Sequence, residues 1–116
     1  MTPGLNFEAV LRRGANETAV LAFIGVLDLA SAPDAEAALS EAADLHPRHL
    51  VIDLSEVSFM DSTGLRLIVA ADAETRKNGR TLDLVRGPDR VHRVFRMTLM
   101  DQRLSFIESA PDDADP

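Results

Sequence analysis

Apolar positions along the chain fall into blocks whose spacing switches between near-alternation and a three-to-four-residue repeat, as strands and helices in turn require. Residues 7–12 alternate weakly and read as a strand, and Gly14-Ala15-Asn16 supplies turn chemistry. A nearly continuous apolar run over residues 18–26 follows, so the two segments are expected to form an antiparallel hairpin. The second strand is apolar on both faces, which predicts a central strand covered on each side. Ser31-Ala32-Pro33-Asp34 marks a helix start, with Ser31 as N-cap, Pro33 in the first turn and Asp34 completing a capping-box-like pair. Ala35, Ala38, Leu39 and Ala42 then share one helical face, and Pro47 stops the element.

Residues 49–54 read as a third strand. After a loop, Leu65, Ile68, Val69 and Ala73 form a second helical face, with Arg66, Asp72, Glu74, Arg76 and Lys77 mostly opposite; Asn78-Gly79 is expected to end this helix in a left-handed cap. Residues 81–85 form a fourth strand. Gly87-Pro88-Asp89 opens a third helix with Val91, Val94, Phe95 and, at its end, Leu99 inward, and residues 104–107 close with a short strand. The order β-β-α-β-α-β-α-β predicts a single α/β domain. Its sheet is mixed but mostly parallel, with an N-terminal β-hairpin, helices packed against it and right-handed crossovers.

Composition narrows the functional classes. The 116 residues, 46% apolar, suffice for one domain without disulfides or metal. Of the net charge of −7, three units sit in the last segment, so a domain over residues 1–109 and an acidic, disordered tail over residues 110–116 are expected. The rest carries 16 acidic against 12 basic residues, and there is no Trp or Tyr, which argues against nucleic acid as a partner. Absence of cysteine excludes a thiol nucleophile and Cys-ligated metal, and fits a reducing compartment. The N-terminus lacks the basic and apolar regions of a secretory signal, and the longest apolar run, residues 19–27, is about half a membrane span. A cytoplasmic protein with no membrane partner and no cofactor is expected.

Candidate chemistry concentrates in Ser55-Glu56-Val57-Ser58-Phe59-Met60-Asp61-Ser62-Thr63-Gly64-Leu65, between the carboxyl end of the third strand and the second helix. Open α/β sheets commonly bind ligands there. Asp61 or Ser62 would stand at a helix start, where free N–H groups and the positive end of the dipole favour an anion, including a phosphate on a hydroxyl. Equally, Asp61 or Ser62 can be a simple N-cap, with Gly64 letting the helix approach the sheet closely.

The run from Leu50-Val51-Ile52-Asp53-Leu54 through Asp61-Ser62-Thr63-Gly64-Leu65 closely resembles the signature of STAS domains, specifically the bacterial anti-sigma factor antagonists. Gly25-Val26-Leu27-Asp28 resembles an upstream element of that family, and Asn78-Gly79-Arg80-Thr81-Leu82-Asp83-Leu84-Val85 its strand after the signature helix. The resemblance implies that Ser62 is phosphorylated by a partner anti-sigma factor, a serine kinase. It also implies that Asp28, Asp61, Thr63 and Gly64 belong with Ser62 to the docking surface, and that a phosphatase resets the modified form. The unphosphorylated protein would bind the kinase and free a sigma factor. Two positions depart from the family: Val26 stands where an acidic residue is frequent, and Leu99 where Gly is frequent.

Other sites are weaker. Asp53, near a strand's carboxyl end, is similar to the phosphoacceptor of receiver domains, but the acidic pair and late Lys of that family are missing; a carboxylate bonding the following backbone N–H groups is preferred. Asp61-Ser62-Thr63-Gly64 is not a nucleophile elbow, no general base accompanies it, and no Gly-rich phosphate loop with Lys occurs, so no catalytic residue is assigned. His46 and His49 flank Pro47 in a surface or capping role and would ligate metal only with carboxylates from elsewhere; no metal site is assigned. His92, among Arg90, Arg93 and Arg96, reads as part of a solvated face. Arg86, Arg90, Arg93, Arg96 and Arg103 form either an exposed helix face or a seat for the acidic tail or an acidic partner. The alternative function is a STAS-like scaffold or small-ligand module not switched by phosphorylation.

Overall fold

The computed structural model describes residues 6–111. β1 (Phe7–Gly14) and β2 (Thr18–Leu27) form the expected antiparallel hairpin, in register from Phe7 opposite Gly25 to Gly14 opposite Thr18. Then follow α1 (Ala32–Asp44), β3 (His49–Met60), α2 (Ser62–Lys77), β4 (Thr81–Val85), α3 (Asp89–Met97), a 3-10 turn (Met100–Gln102) and β5 (Phe106–Ile107). The sheet order is β1-β2-β3-β4-β5, parallel from β2 onward. No helix of the described residues is long and apolar enough to cross a membrane.

Each crossover steps one strand in the same direction, and right-handed connections then put every helix on the same face of the sheet. The expectation that β2 is covered on both sides by packed elements is corrected accordingly. On the helical face, Leu21, Phe23, Ile52, Leu54, Leu82 and Leu84 meet Ala35, Ala38 and Ala42 of α1, Leu65 and Ile68 of α2, and Val91 and Phe95 of α3. Burying each large apolar side chain contributes about 1.5–3 kcal/mol, so this layer carries most of the stability. On the other face Val20, Val51 and Val85 form a small cluster, against which Ile107 and Ala110 pack. The Pro111 carbonyl beyond them accepts a hydrogen bond from Arg12 on β1. Ala110 and Pro111, read from sequence as the start of the tail, therefore contact the sheet rather than α3; residues 112–116 lie outside the described residues.

Several local expectations are revised. β3 does not end at residue 54 but continues to Met60. Register shifts against β2 between Ala22 and Ile24 and between Gly25 and Val26 insert two extra residues into β3. Bulges of this kind break two-residue alternation, so Leu54, Val57 and Met60 are buried at every third position and the segment reads as loop. Ser31 occupies the N-cap position of α1 but does not cap it: its hydroxyl donates to the Val26 carbonyl (2.8 Å) and accepts from the Asp28 N–H (3.0 Å). Ala73 is exposed rather than inward. Leu99 is 60% exposed, with φ +62°, so the helical face of α3 ends before it. His92 is buried, not solvated: its ring stacks edge-on against Phe106 at 4.8 Å and lies 6.0 Å from Phe95. The arginines on either side of it point outward, and the imidazole fills the gap between α3 and β5.

Candidate functional site

The start of α2 is built by Asp61. Its backbone is extended (φ −111°, ψ −169°), as an N-cap requires, and its Oδ1 accepts the N–H of Thr63 at 2.9 Å and of Gly64 at 3.2 Å. The Asp61 carbonyl takes the Leu65 N–H at 3.1 Å, and the Asp61 N–H points to the Leu27 carbonyl at 3.4 Å. The helix start is thereby pinned to the end of β2. Gly64 makes the pinning possible. A Cβ there would stand 2.8 Å from the Leu27 carbonyl oxygen, 2.7 Å from Met60 Cγ and 2.9 Å from Leu27 Cγ, so only glycine lets α2 sit this close.

Ser62, the first residue of α2, is exposed; Thr63 is half-buried and Gly64 and Leu65 are buried. The two readings of the cap are thus resolved in favour of Asp61, which leaves the Ser62 side chain outside the capping network. The N–H groups of Thr63 and Gly64 are engaged by the Asp61 carboxylate, so they are not the waiting donors that the sequence reading offered to a phosphate. A phosphate on Ser62 would stand beside a carboxylate and face outward.

Asp28 follows β2 directly and shapes the adjoining loop. Its Oδ1 accepts the Ser31 N–H at 3.1 Å while its own N–H donates to Ser31 Oγ, a closed turn that holds Leu29 and Ala30 out. Leu29 is 74% exposed, and Phe59, opposite Val26 at the end of β3, is 48% exposed. The structure thus gathers Asp28, Asp61, Ser62 and Thr63 at one end of the sheet, with Gly64 beneath and two apolar side chains at the rim. Leu29 and Phe59 escaped the sequence reading. Nothing in composition marks Leu29, and Phe59 turns outward only because of the bulges in β3.

The remaining candidates lie elsewhere. Asp53 Oδ1 accepts the Ser55 N–H at 2.9 Å, the structural role preferred for it. His49 Nε2 meets Asp83 Oδ2 at 2.7 Å on the helix-free face, and Asp83 also accepts from the Ser105 hydroxyl. His46 Nδ1 lies 3.3 Å from Arg80 at the opposite end of the strands. Among the described residues no cluster of three or more potential ligands could hold a metal. A cleft of about 560 Å³ between α1 and α2, lined by Leu39, Ala43, Leu67, Ala71 and Arg80 among others, includes none of the residues around Ser62.

An exposed hydroxyl beside a carboxylate, at the end of a one-sided α/β domain that also exposes Leu29 and Phe59, is the kind of surface a docking module presents. The chain's relatives make the class specific. The family model described as STAS domain matches residues 9–114. An anti-sigma-B factor antagonist of Staphylococcus aureus is 34% identical over 74 residues, covering 64% of this chain and 68% of that protein. An anti-sigma factor antagonist from Mycobacterium paratuberculosis has the same fold, with TM-score 0.80 at 24% identity over 89% of this chain and 86% of that one. The unphosphorylated form of the antagonist SpoIIAA matches with TM-score 0.74 at 21% identity, covering 89% of each chain. SpoIIAA of Bacillus in its phosphorylated form matches with TM-score 0.69 at 20% identity, covering 89% of this chain and 92% of that one. This chain belongs to the STAS domain family, in its group of anti-sigma factor antagonists. Members of that group are regulatory binding proteins, and this chain is not an enzyme.

Proposed function

We propose that the chain is an anti-sigma factor antagonist switched by phosphorylation of Ser62. Unmodified, it binds an anti-sigma factor that is a serine kinase and so releases a sigma factor; the kinase phosphorylates Ser62, and a phosphatase reverses the change. The observation that carries this reading is the exposed Ser62 hydroxyl beside an Asp61 carboxylate that has already taken the neighbouring helix amides. Asp28 holds the adjoining loop, Thr63 contributes the flank of the surface, and Gly64 fixes the closeness of helix and strand.

The physics of the switch is local. A phosphate adds about −1.5 to −2 charge at neutral pH. The helix dipole offsets about 0.3–1 kcal/mol of that, and the amides beyond it are engaged by Asp61. Docking on this end of the sheet, where Leu29 and Phe59 are exposed, would then force a dianion next to Asp61 out of water. An unpaired charge desolvated in this way costs several kcal/mol, and each ~1.4 kcal/mol is tenfold in affinity.

The test is phosphate transfer. With ATP and an anti-sigma factor serine kinase from the same organism, mass spectrometry of peptides is expected to find one phosphate, on Ser62, and none in Ser62→Ala. A phosphate only on Thr63 contradicts the assignment to Ser62, and none at all contradicts the reading and favours the unswitched scaffold.

A further inference from the structure

β1 lies at an edge of the sheet, with β2 on one side and no strand of the described residues on the other. Edge strands are commonly protected by charges placed so that a second strand is repelled. The charges on this one are placed to attract its own copy. In an antiparallel pair directly opposed residues share the same backbone orientation, so a two-fold axis between two copies must pass through a residue pair. An axis at Ala9 sets Glu8 against Val10 and leaves both arginines without a carboxylate opposite. An axis at Leu11 sets Val10 against Arg12 and Ala9 against Arg13. Only an axis at Val10 sets Glu8 against Arg12 twice, Ala9 against Leu11 twice, and Val10 against itself.

The side chains concerned face a common surface. Glu8, Val10 and Arg12 lie opposite Ile24, Ala22 and Val20, and Val20 belongs to the cluster on the helix-free face. Val10 is 43% exposed there. Arg12 donates to the Pro111 carbonyl, which lays its side chain along the same face. We propose that the chain self-associates through β1 in the register centred on Val10, joining two five-stranded sheets into one. Cross-strand pairs of opposite charge and of apolar side chains stabilise this register, and like charges directly opposite would destabilise it. An eight-residue strand buries little area and each copy carries −7, so the dimer is weak, reversible and favoured by moderate salt. The surface uses none of the residues around Ser62, so it stands independently of the phosphorylation switch.

Because the chain has no cysteine, one substitution reports the register directly. Opposed residues of an antiparallel pair have Cα atoms about 4.5–5.5 Å apart, within disulfide reach. Under mild oxidation Val10→Cys is expected to cross-link into a dimer at least tenfold faster than Ala37→Cys on the exposed side of α1. Adding Glu8→Arg should slow that cross-linking about tenfold, and Glu8→Arg with Arg12→Glu should restore it. Sedimentation of the unsubstituted chain should show a concentration-dependent dimer. Cross-linking of Val10→Cys no faster than that of Ala37→Cys, indifference to Glu8→Arg, or a monomer at the highest attainable concentration would each overturn the proposal.

Discussion

Leu99 and His92 show how single residues set properties that their neighbours cannot. Leu99 holds φ +62° and ψ 15°, where a side chain costs about 1–2 kcal/mol, and its own side chain is largely in solvent. Glycine adopts that conformation freely. Leu99→Gly is therefore expected to raise unfolding stability in urea by about 0.5–1 kcal/mol, the gain being trimmed by the greater entropy of glycine in the unfolded chain. A loss of stability would show that the leucine packs more than its exposure implies. At His92 burial lowers the pKa, the Arg86 and Arg96 charges add to the effect, and Asp101 and Asp89 partly oppose it. Its buried Nδ1 has no partner. A histidine with a lowered folded pKa binds fewer protons folded than unfolded. Its contribution is thus intact above the ordinary value of 6.5 and is lost as pH falls below that through the lowered pKa. His92→Phe, which keeps the ring against Phe106, should flatten the fall in melting temperature between about pH 7.5 and 5.5. An unchanged slope would place that pH dependence elsewhere.

Among the elements, the meeting of α2 with the ends of β2 and β3 is the joint on which the site depends. With a Cβ at Gly64 only 2.8 Å from the Leu27 carbonyl oxygen, Gly64→Ala must push the helix start outward. Overpacking of this kind typically costs about 1–3 kcal/mol, measurable by thermal or urea unfolding; an unaltered midpoint would mean the joint yields. Much of this architecture is legible in the sequence. The apolar faces of α1 and α2, the Thr81–Val85 strand and the hairpin follow from spacing and turn residues alone. What escapes is whatever depends on register. The bulges of β3 leave no alternating trace, so residues 55–60 read as a loop and nothing marks Phe59 as an exposed residue. Likewise an apolar β2 looks the same whether its second face meets helices or, as here, only a small valine cluster and Ala110. The burial of His92 is not legible because flanking arginines mark a surface, while the ring that covers it, Phe106, arrives from β5. That the motif lies between a strand and a helix is legible in the sequence; which residue caps α2 is not, since Asp and Ser are both good caps.

At the scale of the whole molecule, one face of the sheet carries the helices and one end of the strands carries the candidate site, where the exposed Ser62 points a new charge away from the core residues Met60 and Leu65 beside it. A switch of the kind proposed therefore needs no refolding: a chain phosphorylated at Ser62 should keep its fold while binding the proposed partner more weakly. The most direct measurement is the affinity of the partner kinase for the unmodified and the Ser62-phosphorylated chain, side by side under the same salt. The account predicts a loss of about a hundredfold or more on phosphorylation, with circular dichroism unchanged. Equal affinities for the two forms would contradict it.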